Sequence, residues 1–156
     1  MNIESIKEIL DAFDPASLLP DLTTVVGKVE LIARIAVMVG PIVLLVLGLL
    51  YCFAAPKEAN YHFGYRCYFG MGSIEAWRFT QRLAGMVWGT LGLVLTVVML
   101  IVCGSFRGLE VMPMVTKAAV ALAWQAGLAA VSALAVNIVV MSQFDAEGVH
   151  RGRNKK

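Results

Sequence analysis

The sequence predicts an all-α integral membrane protein with three transmembrane helices preceded by amphipathic N-terminal helices. Three observations carry this. Hydrophobic residues make up 59% of the 156 residues and charged residues only 15%, whereas soluble chains run at roughly 45–50% and about 25%. The charges are gathered into blocks. Between those blocks lie three uncharged apolar runs, Ile35 to Ala55, Leu83 to Gly104 and Ala118 to Phe144, each long enough to cross a bilayer, which takes about 20 residues. The chain accordingly divides into an acidic amphipathic segment (1–30), a three-span membrane domain (31–144) with a polar loop at 56–82, and a basic tail (145–156).

In the N-terminal segment, Ile3, Ile6, Ile9, Leu10 and Phe13 recur at helical spacing until Asp14-Pro15 interrupts them. A second amphipathic run carries Leu18, Leu22, Val25, Val26 and Val29. Such helices lie in the interface plane or pack on protein. The first span contains Gly40-Pro41, and the proline predicts a kink. The second opens with Gly85-Met86-Val87-Trp88-Gly89, followed by Gly92. This GxxxG pair lets another helix approach closely, either the first or third span of this chain or a second copy in a homo-oligomer. The third span follows Pro113. Gln125 and Ser132, seven apart, share a face with Ala118, Ala121 and Ala129 close by. Polar groups in hydrocarbon need partners, so that face points into protein, while Asn137 lies on another sector.

Charge placement predicts orientation. Six acidic residues and two lysines precede Leu31. Lys57, Arg66, Arg78 and Arg82 occupy the first loop, and Arg151, Arg153, Lys155 and Lys156 the tail. Basic residues favour the cytoplasmic side, which puts the first loop and C-terminus inside and the N-terminus outside. Cys52, Cys67 and Cys103 have no metal-type spacing. Cys52 and Cys103, near the ends of spans, read as small hydrophobes, while Cys67 falls in the polar loop, where a thiol is open to reaction. His62 and His150 are far apart, and no nucleophile–base or carboxylate pair appears, which argues against an enzyme and implies no cofactor. The basic tail is too short to suggest nucleic-acid binding.

The polar loop holds the candidate functional residues. Asn60 suits a turn after the first helix, and Gly64 permits backbone angles closed to other residues. Tyr61, Phe63, Tyr65, Tyr68 and Phe69 have the composition of an interfacial aromatic belt. Ser73 is placed to cap a helix from about Ile74, with Glu75 in its first turn and Arg78 three residues on. Arg66, between Tyr65 and Tyr68, is suited to Glu75, a lipid phosphate or a partner's carboxylate.

The ordered set Asn60, Gly64-Tyr65-Arg66, Ser73 and Glu75-Ala76-Trp77, then Arg82 and a glycine-bearing span, resembles the SdpI family over about residues 60–104. Cys67 stands where that family usually has threonine. The resemblance implies a non-enzymatic protein of the bacterial cytoplasmic membrane that protects against a membrane-active peptide toxin and recruits a regulator. Asn60, Tyr65, Arg66, Glu75 and Trp77 would be its functional cluster, with Trp77 an interfacial anchor. The alternative is an accessory or scaffold subunit of a larger membrane complex, for which the glycine pair and the polar face of the third span suit a membrane-protein partner.

Overall fold

The computed structural model describes residues 22–59 and 62–152, and these form three long helices: α1 (Leu22–Phe53), α2 (Ile74–Gly104) and α3 (Val111–Gln143). Each is long and apolar enough to cross a membrane. The N-terminal run from Ile3 to Phe13 lies outside the described residues. From Leu22 onward the second amphipathic run is continuous with the first span. Nothing between Leu22 and Gly40 breaks the helical backbone, so both become one helix of 32 residues, about 48 Å at 1.5 Å per residue. Likewise α3 starts at Val111 rather than Ala118, because proline is tolerated in a first turn, where backbone donors have no helical acceptor.

α1 and α2 make the most extensive interhelical contact. They run antiparallel, with Cys52 against Gly85, Gly48 against Gly89 and Leu45 against Gly92; farther along, the Cys103 thiol reaches the Arg34 carbonyl. The backbones nearly touch. A Cβ on Gly48 would lie 2.2 Å from the Gly89 nitrogen, and one on Gly92 would lie 2.3 Å from the Leu45 nitrogen. The α2 glycine stripe is therefore covered by α1 of the same chain. Gly48, on the facing helix, is the partner glycine that the GxxxG pattern did not reveal.

α3 packs across this pair through fewer contacts. One apolar cluster, with Val37, Met99, Phe106 and Met114 at its centre, closes the end near the α2–α3 turn. A second, with Ala76, Ala84, Val136, Val140 and Phe144, closes the opposite end.

α1 continues through Pro41, which is fully buried. Proline has no N–H, so the carbonyl four residues back, Val37, loses its helical donor. Gln125 of α3 supplies one: its Nε2 donates to the Val37 carbonyl at 3.0 Å. Gly40 makes room, since a Cβ there would sit 2.6 Å from Gln125 Oε1. In hydrocarbon a freed backbone carbonyl has no water to turn to, so a neighbouring helix must satisfy it.

Two outcomes follow for the purified chain in detergent. Gly48→Ala forces the helices apart and lowers stability by about 1–3 kcal/mol. Gly89→Ala is nearly neutral, because its Cβ would meet nothing closer than 3.8 Å; thermal midpoints of the two variants check the contrast. Gln125→Leu destabilises by about 1–3 kcal/mol by orphaning the Val37 carbonyl, and the loss shrinks in a Pro41→Ala background, where residue 41 regains its N–H. A double-mutant cycle reads that coupling.

Candidate functional site

Residues 54–73 connect α1 to α2, and the described part, 54–59 and 62–73, folds back over the ends of the helices. The docking depends on one side chain. Gln81 of α2, 2% exposed, donates from Nε2 to the Tyr65 carbonyl at 2.7 Å and accepts from the Tyr65 N–H at 2.8 Å. A single amide thus satisfies both backbone groups of one loop residue, as a neighbouring strand would.

The elements around this clamp follow from local sequence. Gly64, just before it, has φ +119°, a conformation side-chain-bearing residues rarely adopt. A Cβ there would also lie 2.7 Å from the Trp77 ring. Trp77 is completely buried, and its Nε1 donates to the Pro56 carbonyl at 2.9 Å. The expected interfacial anchor is instead the floor of the loop. Its indole meets Gly64 and a loop carbonyl inside the protein, which leaves no face for lipid.

Tyr65 also departs from a membrane belt. Its ring packs edge-on to Trp88, with centroids 5.2 Å apart. Its hydroxyl donates to Asn137 Oδ1 at 2.8 Å, with the Ala133 carbonyl oxygen 3.1 Å from the same hydroxyl. Trp88 in turn donates to Ser132 Oγ at 3.1 Å, and that hydroxyl donates to the Ala129 carbonyl. Tyr68, by contrast, is exposed.

Ser73 is the N-cap of α2. Its Oγ accepts from the Ala76 N–H at 3.1 Å and donates to the Gly148 carbonyl at 2.7 Å. The second bond brings in the chain after α3. Gly148, at φ +74°, packs its backbone on Gly72 and Ser73. Residues 144–150 form a turn closed by an isolated bridge between Phe144 and His150, and Arg151 Nε donates to the Phe144 carbonyl at 3.1 Å. Part of the basic tail is thus a structured cap on the same end of the bundle as the loop.

The candidate residues are therefore divided by the structure. Tyr65 meets both Gln81 and Asn137, Gly64 lies against Trp77 and Gln81, Trp77 bonds to Pro56, and Ser73 caps α2 and binds Gly148. Arg66, Glu75 and Arg78 are exposed, with Arg78 Nε donating to the Lys57 carbonyl at 3.3 Å. Asn60 lies outside the described residues. Gly85 and Gly92 belong to the α1–α2 contact, and Gln125 and Ser132 face protein. Sequence reasoning missed Gln81 and Asn137. A glutamine four residues after a tryptophan was a signal for the first; only the position of Tyr65 reveals the second.

Cys67 sits beneath the loop beside Gly70 and Thr80. Burial pushes its thiol above the ordinary cysteine value, against the Gly70 N–H and the Thr80 hydroxyl, which favour the thiolate. Burial likewise raises the Tyr65 phenol, with Cys67 and Tyr51 adding to the effect and Asn137 opposing it. At neutral pH Cys67 is therefore a protonated, weakly nucleophilic thiol.

Fold and site together define a three-helix membrane protein whose first interhelical loop is clamped onto the bundle. The model of the SdpI/YfhL protein family matches residues 57–142, more than half of the chain, and the protein belongs to that family. The match runs past the 60–104 resemblance and takes in α3, the helix whose Ala133 and Asn137 meet Tyr65. No curated protein and no solved structure matches the chain.

Gln81→Leu tests the clamp. With two backbone bonds lost, the loop is destabilised by about 2 kcal/mol. Tyr65 amide exchange and maleimide labelling of Cys67, in a chain carrying Cys52→Ala and Cys103→Ala, both accelerate relative to the same chain with Gln81 intact.

Proposed function

We propose that the chain is a non-enzymatic immunity-type protein of the bacterial cytoplasmic membrane, protecting the cell against a membrane-active peptide toxin by contact within the bilayer. Family membership supports this reading, and the observation that carries it is a cleft between α2 and α3. The cleft has a volume of 520 Å³ and is lined by Val98, Met99, Val120, Ala121, Trp124 and Leu128 among others, with Ser105 and Lys117 at one end. A long, apolar, open seat between two loosely packed helices suits an apolar peptide helix, which gains van der Waals contact there in place of lipid.

Orientation supports the same mechanism. The basic loop and the structured tail lie together, joined by Ser73 and Gly148, and basic residues favour the cytoplasmic side. The Lys117 end of the cleft then faces outward, where a secreted peptide arrives. The loop's role would be to hold the helices and to present Arg66 and Glu75 to a cytoplasmic regulator. Ser73, Tyr65, Trp77 and Gln81 bond to backbone or Asn137, an arrangement that serves architecture rather than covalent chemistry.

The accessory-subunit reading loses one of its supports, because the glycine stripe is occupied by α1.

The test is membrane depolarisation by a sporulation-delaying peptide toxin in a susceptible strain, at matched membrane abundance. The unaltered chain is expected to protect, and Val120→Trp, which fills the cleft, to abolish protection. Loss with Arg66→Ala alone would move the protective contact to the loop. An inserted but unprotective unaltered chain would overturn the reading for that toxin.

A further inference from the structure

At the loop end of the bundle, a recess of 170 Å³ opens beside α2, lined by Tyr51, Cys52, Lys57, Arg78, Gln81 and Arg82 among others. Three cationic side chains from two elements meet there. Lys57 comes from the loop, and Arg78 and Arg82 come from successive turns of one α2 face. Both arginines are exposed, and the Arg78 Nε bond to the Lys57 carbonyl ties the loop strand to the helix. Glu58 lines the neighbouring recess with His62, on the far side of Lys57 along the chain.

Below the cations the same helix face changes character. Residues at 78, 82, 86, 90 and 94 are four apart and form one gently winding stripe. After Arg82 it continues as Met86, Thr90 and Val94, which with Val87 and Leu91 line a shallow depression on the lipid-facing side of α2. The uncharged stretch of α2 begins at Leu83, so Arg82 stands at the boundary between headgroups and hydrocarbon. From Arg82 to Val94 the helix rises about 18 Å, close to one leaflet of a hydrocarbon core about 30 Å thick.

We infer that this stripe binds one anionic phospholipid, its phosphate held among Lys57, Arg78 and Arg82 and one acyl chain lying along Met86, Thr90 and Val94. Guanidinium groups suit the phosphate because their donors are planar and forked, matching two oxygens at once. The apolar track commits the site to a lipid rather than to a free anion, since a soluble phosphate would gain nothing from it. This inference is independent of the immunity reading, because the cleft used there lies between α2 and α3 and involves none of these residues.

The experiment is native mass spectrometry of the purified full-length chain, titrated with phosphatidylglycerol, with phosphatidylcholine of identical acyl chains, and with glycerophosphoglycerol, which has the headgroup alone. One phosphatidylglycerol is expected to be retained about ten-fold or more over phosphatidylcholine, as charge pairing with the membrane's anionic groups predicts. Arg78→Gln with Arg82→Gln removes that preference, whereas Arg107→Gln, at the other end of α2, leaves it intact. Met86→Trp fills the track without touching a charge and weakens lipid retention, so the site remains testable should the double variant not fold. Equal retention of the two lipids by the unaltered chain overturns the proposal. So does undiminished preference in a folded double variant. Glycerophosphoglycerol displacing the lipid at equal concentration would make the recess a free-anion site and would also overturn it.

Discussion

The backbone contact between α1 and α2 at Gly48 and Gly89 is the constraint on which the rest of the structure depends. Lipid offers helices no hydrophobic reason to associate, so close approach, with its dense van der Waals contact, must do the work. Glycines at 48, 85 and 92 allow that approach. Once the two helices are fixed side by side, the chain between Phe53 and Ile74 must fold over a defined pair of ends. Pro56 and Trp77 then come within hydrogen-bonding distance, and the floor for the loop exists.

α3 is held by a different means. Three of its polar side chains each bond to a different part of the molecule: Gln125 to the α1 carbonyl released by Pro41, Ser132 to Trp88 of α2, and Asn137 to Tyr65 of the loop. These bonds lie at successive depths along one helix and fix its position without close packing throughout. The cleft beside Val120 and Leu128 is the space this arrangement leaves. A helix pair joined by a glycine stripe leaves no space along the stripe, whereas one joined by a few directional bonds leaves space between them.

The loop illustrates how a membrane protein builds a polar segment at a boundary. Gln81 gives Tyr65 the pairing that a strand would otherwise supply, Ser73 caps α2 while binding the returning chain at Gly148, and Gly70 lies against Cys67 and Thr80. Arg66, Tyr68, Glu75 and Arg78 lie at the surface of the same segment. Among the described residues, the motif is thus of two kinds, those folded into the loop's hydrogen bonds and those at its surface.

Much of this protein was legible in its sequence. Three uncharged runs determine three spanning helices, because a bilayer admits little else for an apolar stretch of that length. The ordered residues from Asn60 to Trp77 led to the family, and the Ser73 position set the start of α2. What the sequence left open was which partner each special residue would take. Gly85 and Gly89 allow close approach to any helix; that the neighbour is α1, meeting them through Gly48, is a tertiary fact. Trp77 and Tyr65 are compatible with a lipid belt by composition, and only the positive φ at Gly64 and the Gln81 clamp turn both inward. The reason is that helix formation is local and follows from composition, whereas the burial of a ring or the filling of an orphaned carbonyl depends on residues tens of positions away, brought near by the packing of the helices.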